Sequence, residues 1–267
     1  MIQELLARYG IEADKQQGQH FLASERILDK EVDAADIEAD DVVLEIGAGL
    51  GTLTERLAEK ADRVIAVEKD QNLVSVLEDR LSTYDNVTIT QGDIMDMEWP
   101  SFDRCVSNPP YHLSSELIEA LGTRQRFSVM VLQKQFADRL TAEPGEDGYS
   151  RLTVMARYYF IPVVLETVGA DLFYPRPEVD SSLVKLYPRK DRHGIQDEEA
   201  FFRTSRALFT HKRKKVRNAV VDARHILNTE KDKVKAVRDE VPHSEQRVIN
   251  LDIPAINDIC QFLEDEL

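Results

Sequence analysis

The sequence predicts an α/β protein with a doubly wound, Rossmann-like sheet and a smaller C-terminal helical domain. Short segments rich in β-branched residues alternate with amphipathic helical segments over most of the chain, and this alternation is typical of βαβ units and a parallel sheet. The chain has 267 residues, of which 42% are hydrophobic. It is therefore long enough to bury the core of one large domain and to carry an appendage.

Seven segments are predicted to be strands, because they are short, rich in Val and Ile, and bounded by turn or charged residues. In chain order they are DVVLEI, RVIAVE, NVTITQG, FDRCVS, FSVMVLQ, VVLETV and SSLVKLYP. Apolar residues at helical spacing predict helices between them. These are TLTERLAEK, NLVSVLEDRL, SSELIEALG, QKQFADRLTA and RLTVMARYY. Strands that are almost continuously apolar are expected to be buried on both faces between helical layers.

A domain boundary is predicted near Arg189, where the polar stretch RKDRHGIQDE begins. The sequence beyond it has no strand pattern and is predicted to be helical, most clearly in FFRTSRALF. The expected domains are therefore residues 1–189, containing the sheet, and residues 190–267, which are helical.

The net charge limits the partners that the protein can have. Lys and Arg number 34 against 49 Asp and Glu, a formal charge of -15, and a uniformly acidic surface would repel nucleic acid. However, residues 203–217, RTSRALFTHKRKKVR, contain seven basic residues and no acidic one. They are either a basic binding surface on an acidic protein or an ordinary solvated helix face.

A cytoplasmic protein is expected, because the charged N-terminus does not look like a signal peptide and no apolar run reaches membrane-spanning length. Cys105 and Cys260 lie far apart in the sequence and are interpreted as buried thiols in a reducing compartment. The six histidines are scattered without ligand spacing, so no metal site is predicted.

A glycine-rich turn follows the first predicted strand, in LEIGAGLGTLT. Glycine at Gly47, Gly49 and Gly51 permits positive φ and lets a ligand approach the backbone closely. Such a turn can also be purely structural. A dinucleotide fingerprint would place glycine at Thr52, whereas G-x-G-x-G preceded by Glu45 is typical of S-adenosylmethionine enzymes.

Two acidic residues follow the next two strands. Glu68 ends RVIAVE, where an acid can accept hydrogen bonds from both ribose hydroxyls, and Asp93 follows TITQG, where it can accept from an adenine amino group while Ile94 covers the ring. Either acid alone could be a surface residue or a helix cap. Three ligand groups at consecutive strand ends predict a site for S-adenosylmethionine, because ligands of open α/β sheets gather at that edge.

The stretch SNPPYHLSS follows the fourth strand and is predicted to be a rigid loop, since two prolines cannot continue a strand. An exocyclic amine is a poor nucleophile, because its lone pair is delocalised into the ring. Fixed acceptors, here the Asn108 side-chain oxygen and the Pro109 carbonyl, could hold both N–H groups and aim the nitrogen at a methyl donor. Tyr111 could stack on the base. The alternative is a turn that only caps the next helix.

These motifs together resemble the ribosomal RNA adenine N6,N6-dimethyltransferase family, which comprises KsgA and its archaeal and eukaryotic counterparts, and most closely the archaeal form. The resemblance runs from about Gly18 to Asn218. The motifs occur in the family's order: GQHFL, LEIGAGLGTLT, NPPY, MVLQKQFADRLTAEPGEDGYSRLTVMA, FYPRPEVDSS and FTHKRKKVRNA. It implies a class I S-adenosylmethionine methyltransferase fold in which the C-terminal helical domain binds RNA.

The resemblance also implies roles for particular residues. Gln19, His20 and Leu22 would border the methionine end of the cofactor, and Phe173 would close over the target adenine opposite Tyr111. RNA would be held by the basic residues Lys212, Arg213, Lys214, Lys215 and Arg217. The implied substrate is a pair of adjacent adenosines in the loop of the 3'-terminal stem of small-subunit ribosomal RNA, within a pre-ribosomal particle, and the implied enzyme is a monomer.

The chain departs from the family pattern at two positions. His20 stands in place of the usual Asn, which affects only the contact made by that side chain. Pro109 stands in place of the usual Leu, so the loop alone does not establish adenine as the target. The resulting N-P-P-Y form also resembles methyltransferases that act on protein glutamine. Methylation of large-subunit RNA is a second possibility, and a ribosome assembly factor with secondary catalysis is a third.

Overall fold

All seven predicted strands are present in the computed structural model, which describes residues 2–14 and 18–266. In chain order the strands are β1 (Phe21–Leu22), β2 (Val42–Ile46), β3 (Arg63–Glu68), β4 (Val87–Gln91), β5 (Arg104–Ser107), β6 (Phe127–Gln133), β7 (Phe160–Val168), β8 (Phe173–Tyr174) and β9 (Ser181–Pro188). The main sheet has the order β4-β3-β2-β5-β6-β9-β7, while β1 and β8 form a separate antiparallel pair. The α/β class is confirmed.

The register brings four strand ends to one edge of the sheet. β2 pairs in parallel with both β3 and β5, β3 pairs in parallel with β4, and β5 pairs in parallel with β6. By contrast, β9 runs antiparallel to β6. The carboxyl ends of β2, β3, β4 and β5 therefore lie side by side, which is where open α/β sheets bind ligands.

The chain divides into two compact units. The first holds the residues up to 137 and residues 162–188, and the second holds residues 138–161 and the residues from 189 onward. The first includes α1 (Ile2–Tyr9), α2 (Glu25–Ala34), α3 (Thr52–Ala58), α4 (Gln71–Arg80) and α5 (Ser114–Thr123), and α6 (Lys134–Thr141) crosses the division. In this unit α2 and α3 bury Leu28 and Leu57 in one large cluster with strand residues such as Val43 and Val106.

The second unit consists of α7 (Arg151–Tyr159), α8 (Glu198–Phe209), α9 (Val216–Asp222), α10 (Lys231–Val237) and α11 (Ile253–Glu266) with their connections. The α-helices that follow Arg189 are α8, α9, α10 and α11. However, residues 138–161 also belong to this unit, although the sequence predicts them in the first domain. The reason is aromatic packing: the Tyr158 ring stacks on Phe201 at 5.5 Å and meets Phe202 edge-on at 5.0 Å.

None of the helices in the described ranges is long and apolar enough to cross a membrane.

Candidate active site

A cavity of about 280 Å³ opens at the carboxyl ends of β2, β3, β4 and β5. Every residue predicted to bind the cofactor lines it. These residues are Gln19, His20, Leu22, Gly47, Gly49, Glu68, Asp93, Ile94 and Asn108. Parallel pairing of the strands explains why Gly47, Glu68, Asp93 and Asn108 converge, since the loops that follow parallel strands emerge at the same edge.

The glycine loop after β2 passes close to its neighbours. Gly47 and Gly49 have φ values of +75° and +58°, which side chains other than glycine rarely adopt. A Cβ atom on Gly49 would lie 3.0 Å from Cε1 of Phe21, and one on Gly47 would lie 3.4 Å from Cδ of Pro110. The loop therefore keeps its backbone open to a ligand and lies against the proline loop after β5.

Glu68 at the end of β3 holds two of the cavity's loops together. Its Oε2 accepts a hydrogen bond from the Gly49 N–H at 2.8 Å, and its Oε1 accepts from the N–H groups of Lys69 and Asp70 at 2.8 and 2.9 Å. Burial raises the pKa of the Glu68 carboxyl, while these three hydrogen bonds oppose the shift. The Glu68 carboxyl is therefore held in place, and its oxygens can still accept further hydrogen bonds.

Asp93 after β4 is also anchored. Its Oδ1 accepts from the Met95 N–H and its Oδ2 accepts from Lys69 Nζ, both at 2.9 Å. The Lys69 hydrogen bond lowers the pKa of Asp93, so the group is a carboxylate at neutral pH. Ile94 beside it is buried and lines the same cavity.

The segment before β1 connects the cavity to the loop after β8. Gln19 donates from Nε2 to Asp70 Oδ2 at 3.0 Å. His20 Nδ1 lies 2.7 Å from the Pro175 carbonyl oxygen, and its ring stacks near Tyr111 with centroids 6.3 Å apart. Pairing of β1 with β8 brings these two sequence-distant motifs together.

The proline loop after β5 presents one unused acceptor. Oδ1 of Asn108 is buried and has no hydrogen-bond partner among the described residues. The loop itself is tied down, since Ser107 Oγ donates to the Ile46 carbonyl at 2.6 Å and Tyr111 Oη lies 2.7 Å from Ser181 Oγ. Burial raises the pKa of Tyr111. An acceptor held on a rigid loop is what positioning of an amine requires.

Three of the four predicted catalytic residues do not line the cavity. Pro109 is buried in the loop, and Tyr111 is hydrogen-bonded to Ser181 with its ring near that of His20. Phe173 is 6% exposed and packs in the core cluster of the first unit. Its contact with a target base remains a prediction.

Sequence reasoning missed two buried or charged neighbours of the site. Lys69 bonds Asp93, as described above, and the Glu31 carboxyl is fully buried on α2. Glu45, noted before the glycines, lines the cavity, and burial raises its pKa to about 8. The burial of Glu31 could have been predicted from the sequence, because its spacing places it on the same helix face as the apolar Ile27 and Leu28.

The predicted RNA-binding residues lie in the second unit, and several are paired with acids. Lys214 bonds Asp222 at 2.6 Å, Lys215 bonds Glu245 at 2.6 Å, and Arg217 also bonds Glu245. Lys212 instead donates to the carbonyls of Asp147 and Tyr149, while Arg213 is exposed. Exposed ion pairs are weak, so such pairs can exchange partners with phosphates.

The residues present fit S-adenosylmethionine. The glycine loop carries no side chain at Gly47 and Gly49, where a Cβ atom would contact Pro110 and Phe21 respectively. Carboxylates stand at the two positions suited to ribose hydroxyls and an adenine amino group, and the buried Asn108 Oδ1 has no partner among the described residues. Among the residues that the structure describes, no cluster of His, Cys, Asp or Glu could hold a metal ion.

Known proteins resemble the chain over nearly its full length. Residues 10–258 match the family model described as "Ribosomal RNA adenine dimethylase". A "Probable ribosomal RNA small subunit methyltransferase A" from Pyrococcus abyssi is 39% identical over 98% of this chain and 96% of its own. A protein of the same name from Methanosarcina acetivorans is 38% identical over 99% of this chain and 98% of its own.

Solved structures agree with these relatives. A dimethyladenosine transferase from Plasmodium falciparum is 29% identical with a TM-score of 0.82, over 92% of this chain and 98% of its own. The 23S rRNA methyltransferase ErmE is 25% identical with a TM-score of 0.68, over 91% of this chain and 99% of its own. The chain therefore belongs to the ribosomal RNA adenine dimethylase family of S-adenosylmethionine-dependent methyltransferases.

Proposed function

We propose that this enzyme transfers methyl groups from S-adenosylmethionine to N6 of two adjacent adenosines in small-subunit ribosomal RNA. The adenosines lie in the loop of the 3'-terminal stem, and each becomes N6,N6-dimethyladenosine. One observation carries the proposal: the free Oδ1 acceptor of Asn108 stands on a fixed loop at the cavity suited to the methyl donor. The names of the archaeal relatives support the small-subunit substrate.

The proposal extends to the setting of the reaction. The enzyme acts as a monomer in the cytoplasm on RNA within a pre-ribosomal small subunit and contributes to small-subunit biogenesis. In this arrangement the helical residues 190–267, together with residues 138–161, bind RNA.

Binding of the donor is assigned to the residues that line the cavity. Glu68 accepts from the ribose hydroxyls, Asp93 accepts from the adenine amino group, and Ile94 covers the ring. The methionine end lies beside Gln19, His20, Leu22, Gly47 and Gly49. When bound, S-adenosylmethionine supplies an electrophilic methyl group on a positively charged sulfur.

Asn108 and Pro109 prepare the nucleophile. Their side-chain and backbone carbonyl oxygens accept the two N–H groups of the adenine amine and favour a pyramidal nitrogen whose lone pair points at the methyl group. In each transfer the C–S bond of the donor would break, with its electron pair left on the sulfur, as the C–N bond forms, and one proton would leave the nitrogen for water. No strong base is needed, because the nitrogen becomes positively charged, and therefore acidic, as it is methylated.

The target adenine must leave its stack to reach these acceptors. Extrusion costs a few kcal/mol and is easier in an RNA loop than in a duplex. Tyr111 and Phe173 are proposed to hold the base on its two faces, since aromatic side chains stack on single-stranded bases. The Ser181 hydrogen bond and the nearby His20 ring limit the movement of Tyr111.

The basic residues of the second unit should determine how RNA binding depends on salt. Replacement of Arg213, Lys214 and Lys215 by Gln is expected to weaken binding and to flatten the slope of log K against log[salt] by about 0.7 for each phosphate that is no longer neutralised. Lys212 is retained because it bonds the carbonyls of Asp147 and Tyr149. Filter binding of a small-subunit stem-loop RNA at several salt concentrations measures the slope.

A matched control removes the same charge elsewhere in that unit. Replacement of Lys231, Lys233 and Lys235 on α10 by Gln should leave the slope nearer that of the wild type. Equal slopes for the two triple variants would mean that residues 213–215 are only a solvated surface.

The test of function is methyl transfer from radiolabelled S-adenosylmethionine to purified small ribosomal subunits that lack the modification, followed by nucleoside analysis. Labelled N6,N6-dimethyladenosine in the small-subunit RNA is expected. Large subunits and glutamine-containing protein substrates are tested in parallel. Donor binding without transfer to small subunits would overturn the assignment, and label in large-subunit RNA or protein would identify the alternative substrate.

A further inference from the structure

Lys69 lines the cavity, yet neither the sequence motifs nor the proposed reaction gives it a role. It follows Glu68, the last residue of β3, and its side chain is 69% exposed. Exposed lysine side chains gain little from a single ion pair, because holding them in one geometry costs conformational freedom. This lysine nevertheless has a defined partner among the other cavity-lining residues, the Asp93 carboxylate.

The side chain of Lys69 holds one oxygen of Asp93. Nζ donates to Asp93 Oδ2 at 2.9 Å, and the Met95 N–H donates to the other oxygen, Oδ1, at the same distance. The Met95 bond is local, since the two residues are two positions apart. Because each oxygen has its own donor, both ends of the carboxylate are fixed. Each oxygen can accept a second hydrogen bond, so the group remains an acceptor for a ligand.

The backbone of Lys69 contacts the other acid of the donor site, because its N–H donates to Glu68 Oε1 at 2.8 Å. The parallel register of β3 and β4 explains how one residue reaches both acids. Glu68 is paired with Gln91, and the Gly92 N–H donates to the Glu68 carbonyl at 2.9 Å. Lys69 therefore follows β3 beside the turn that leads to Asp93. It joins the proposed acceptor for the ribose to the proposed acceptor for the adenine amino group.

We infer that Lys69 is a positioning residue that fixes the Asp93 carboxylate, so that the site distinguishes a 6-amino purine from a 6-oxo purine in the donor. The inference rests on the proposed contact between Asp93 and the adenine amino group. A carboxylate only accepts hydrogen bonds, so it binds an amino group and opposes a carbonyl oxygen at the same place. A carboxylate that can move away from the carbonyl oxygen opposes it less.

The test compares two ligands on the full chain. S-adenosylhomocysteine, which remains when the donor has lost its methyl group, carries the 6-amino group, and S-inosylhomocysteine carries a 6-oxo group instead. Competition against labelled S-adenosylmethionine gives both affinities, and the ratio of amino to oxo affinity measures the discrimination. The salt concentration is kept at about 0.1 M, where the Debye length is about 10 Å and an exposed ion pair still acts.

Lys69→Met removes the ammonium group and keeps an apolar stem. It should lower the affinity ratio at least about twofold, as expected for the loss of an exposed ion pair. Lys69→Arg keeps the positive charge and should stay closer to the wild-type ratio than Lys69→Met does. A fall of less than about twofold in Lys69→Met, or a ratio in Lys69→Arg that is as low as in Lys69→Met, would overturn the inference.

The matched control is Lys60→Met. Lys60 Nζ also pairs with an exposed acid, Asp33, at 3.4 Å, and Lys60 is not among the described residues that line the cavity. Its replacement removes the same charge from the same unit and should leave the ratio at the wild-type value. A control that lowers the ratio as much as Lys69→Met would show that net charge is responsible, contrary to the inference.

A double-mutant cycle tests whether Lys69 acts through Asp93. In the Asp93→Ala background, Lys69→Met should not change the ratio further, because the carboxylate that it fixes is absent. An equal effect in both backgrounds would show that Lys69 acts on the donor directly, and the inference would be wrong. Asp93→Ala alone separates the two ideas. An unchanged ratio in this variant refutes the proposed adenine contact, whereas a lowered ratio beside an unchanged ratio in Lys69→Met refutes only the inference about Lys69.

Discussion

Replacement of Asn108 by Ala is expected to lower kcat by about 10²–10³-fold, because it removes a fixed polar group that acts on the reacting nitrogen. Affinity for S-adenosylmethionine should change much less, since we propose that the donor is held mainly by the loops after β2, β3 and β4. Single-turnover methylation of small-subunit RNA gives the rate, and equilibrium binding of the labelled donor gives the affinity.

A suitable control is Asn72→Ala, which removes an exposed amide from the start of α4 in the same unit. It should retain wild-type turnover. If Asn108→Ala lost donor affinity as strongly as turnover, Asn108 would belong to the donor site and would not act on the amine.

Replacement of Glu68 by Gln is expected to weaken donor binding by at least about 10²-fold. Hydrogen bonds to a charged group contribute about 1.5–3 kcal/mol each, and two ribose hydroxyls would lose a charged acceptor. The substitution also sets an amide NH2 against the N–H groups of Gly49, Lys69 and Asp70, which donate to the carboxylate in the wild type. Isothermal titration with the donor measures the loss.

The matched control for Glu68 is Glu78→Gln on the exposed side of α4, which should bind the donor as the wild type does. The pH dependence gives a second check. Burial raises the pKa of Glu68. As the pH is lowered, the Glu68 carboxylate should therefore be protonated, and wild-type donor affinity should fall, at a higher pH than for a carboxyl group with an ordinary pKa. Unchanged affinity in Glu68→Gln would exclude the ribose contact.

Local patterns were sufficient to predict most of the first unit. The strands of the main sheet are short β-branched runs with clear boundaries, and their alternation with helices indicates parallel pairing. Once the strands are parallel, topology alone places Gly47, Glu68, Asp93 and Asn108 at one edge. The cavity-lining residues were therefore predictable from their order along the chain.

Several features were not predictable because they depend on residues that are distant in the sequence. Assignment of residues 138–161 to the helical unit follows from packing of Tyr158 and Tyr159 on Phe201 and Phe202, which lie far along the chain from them. Residues 203–217 contain seven basic residues and no acidic one. In the structure, however, Glu245, which lies further along the chain, bonds both Lys215 and Arg217. Sequence periodicity contains no information on such pairs.

The sequence by itself determined the α/β class, the order of the strands along the chain, the S-adenosylmethionine motifs and the family resemblance, because each depends on residues close together in the chain or on the rule for parallel strands. Only the tertiary structure decided which polar atoms remain free. Asn108 Oδ1 lacks a partner among the described residues, and the Glu31 carboxyl, on a much earlier helix, is fully buried. Burial of this kind arises when a helix packs on a sheet, since packing decides which groups lose water and which neighbours replace it.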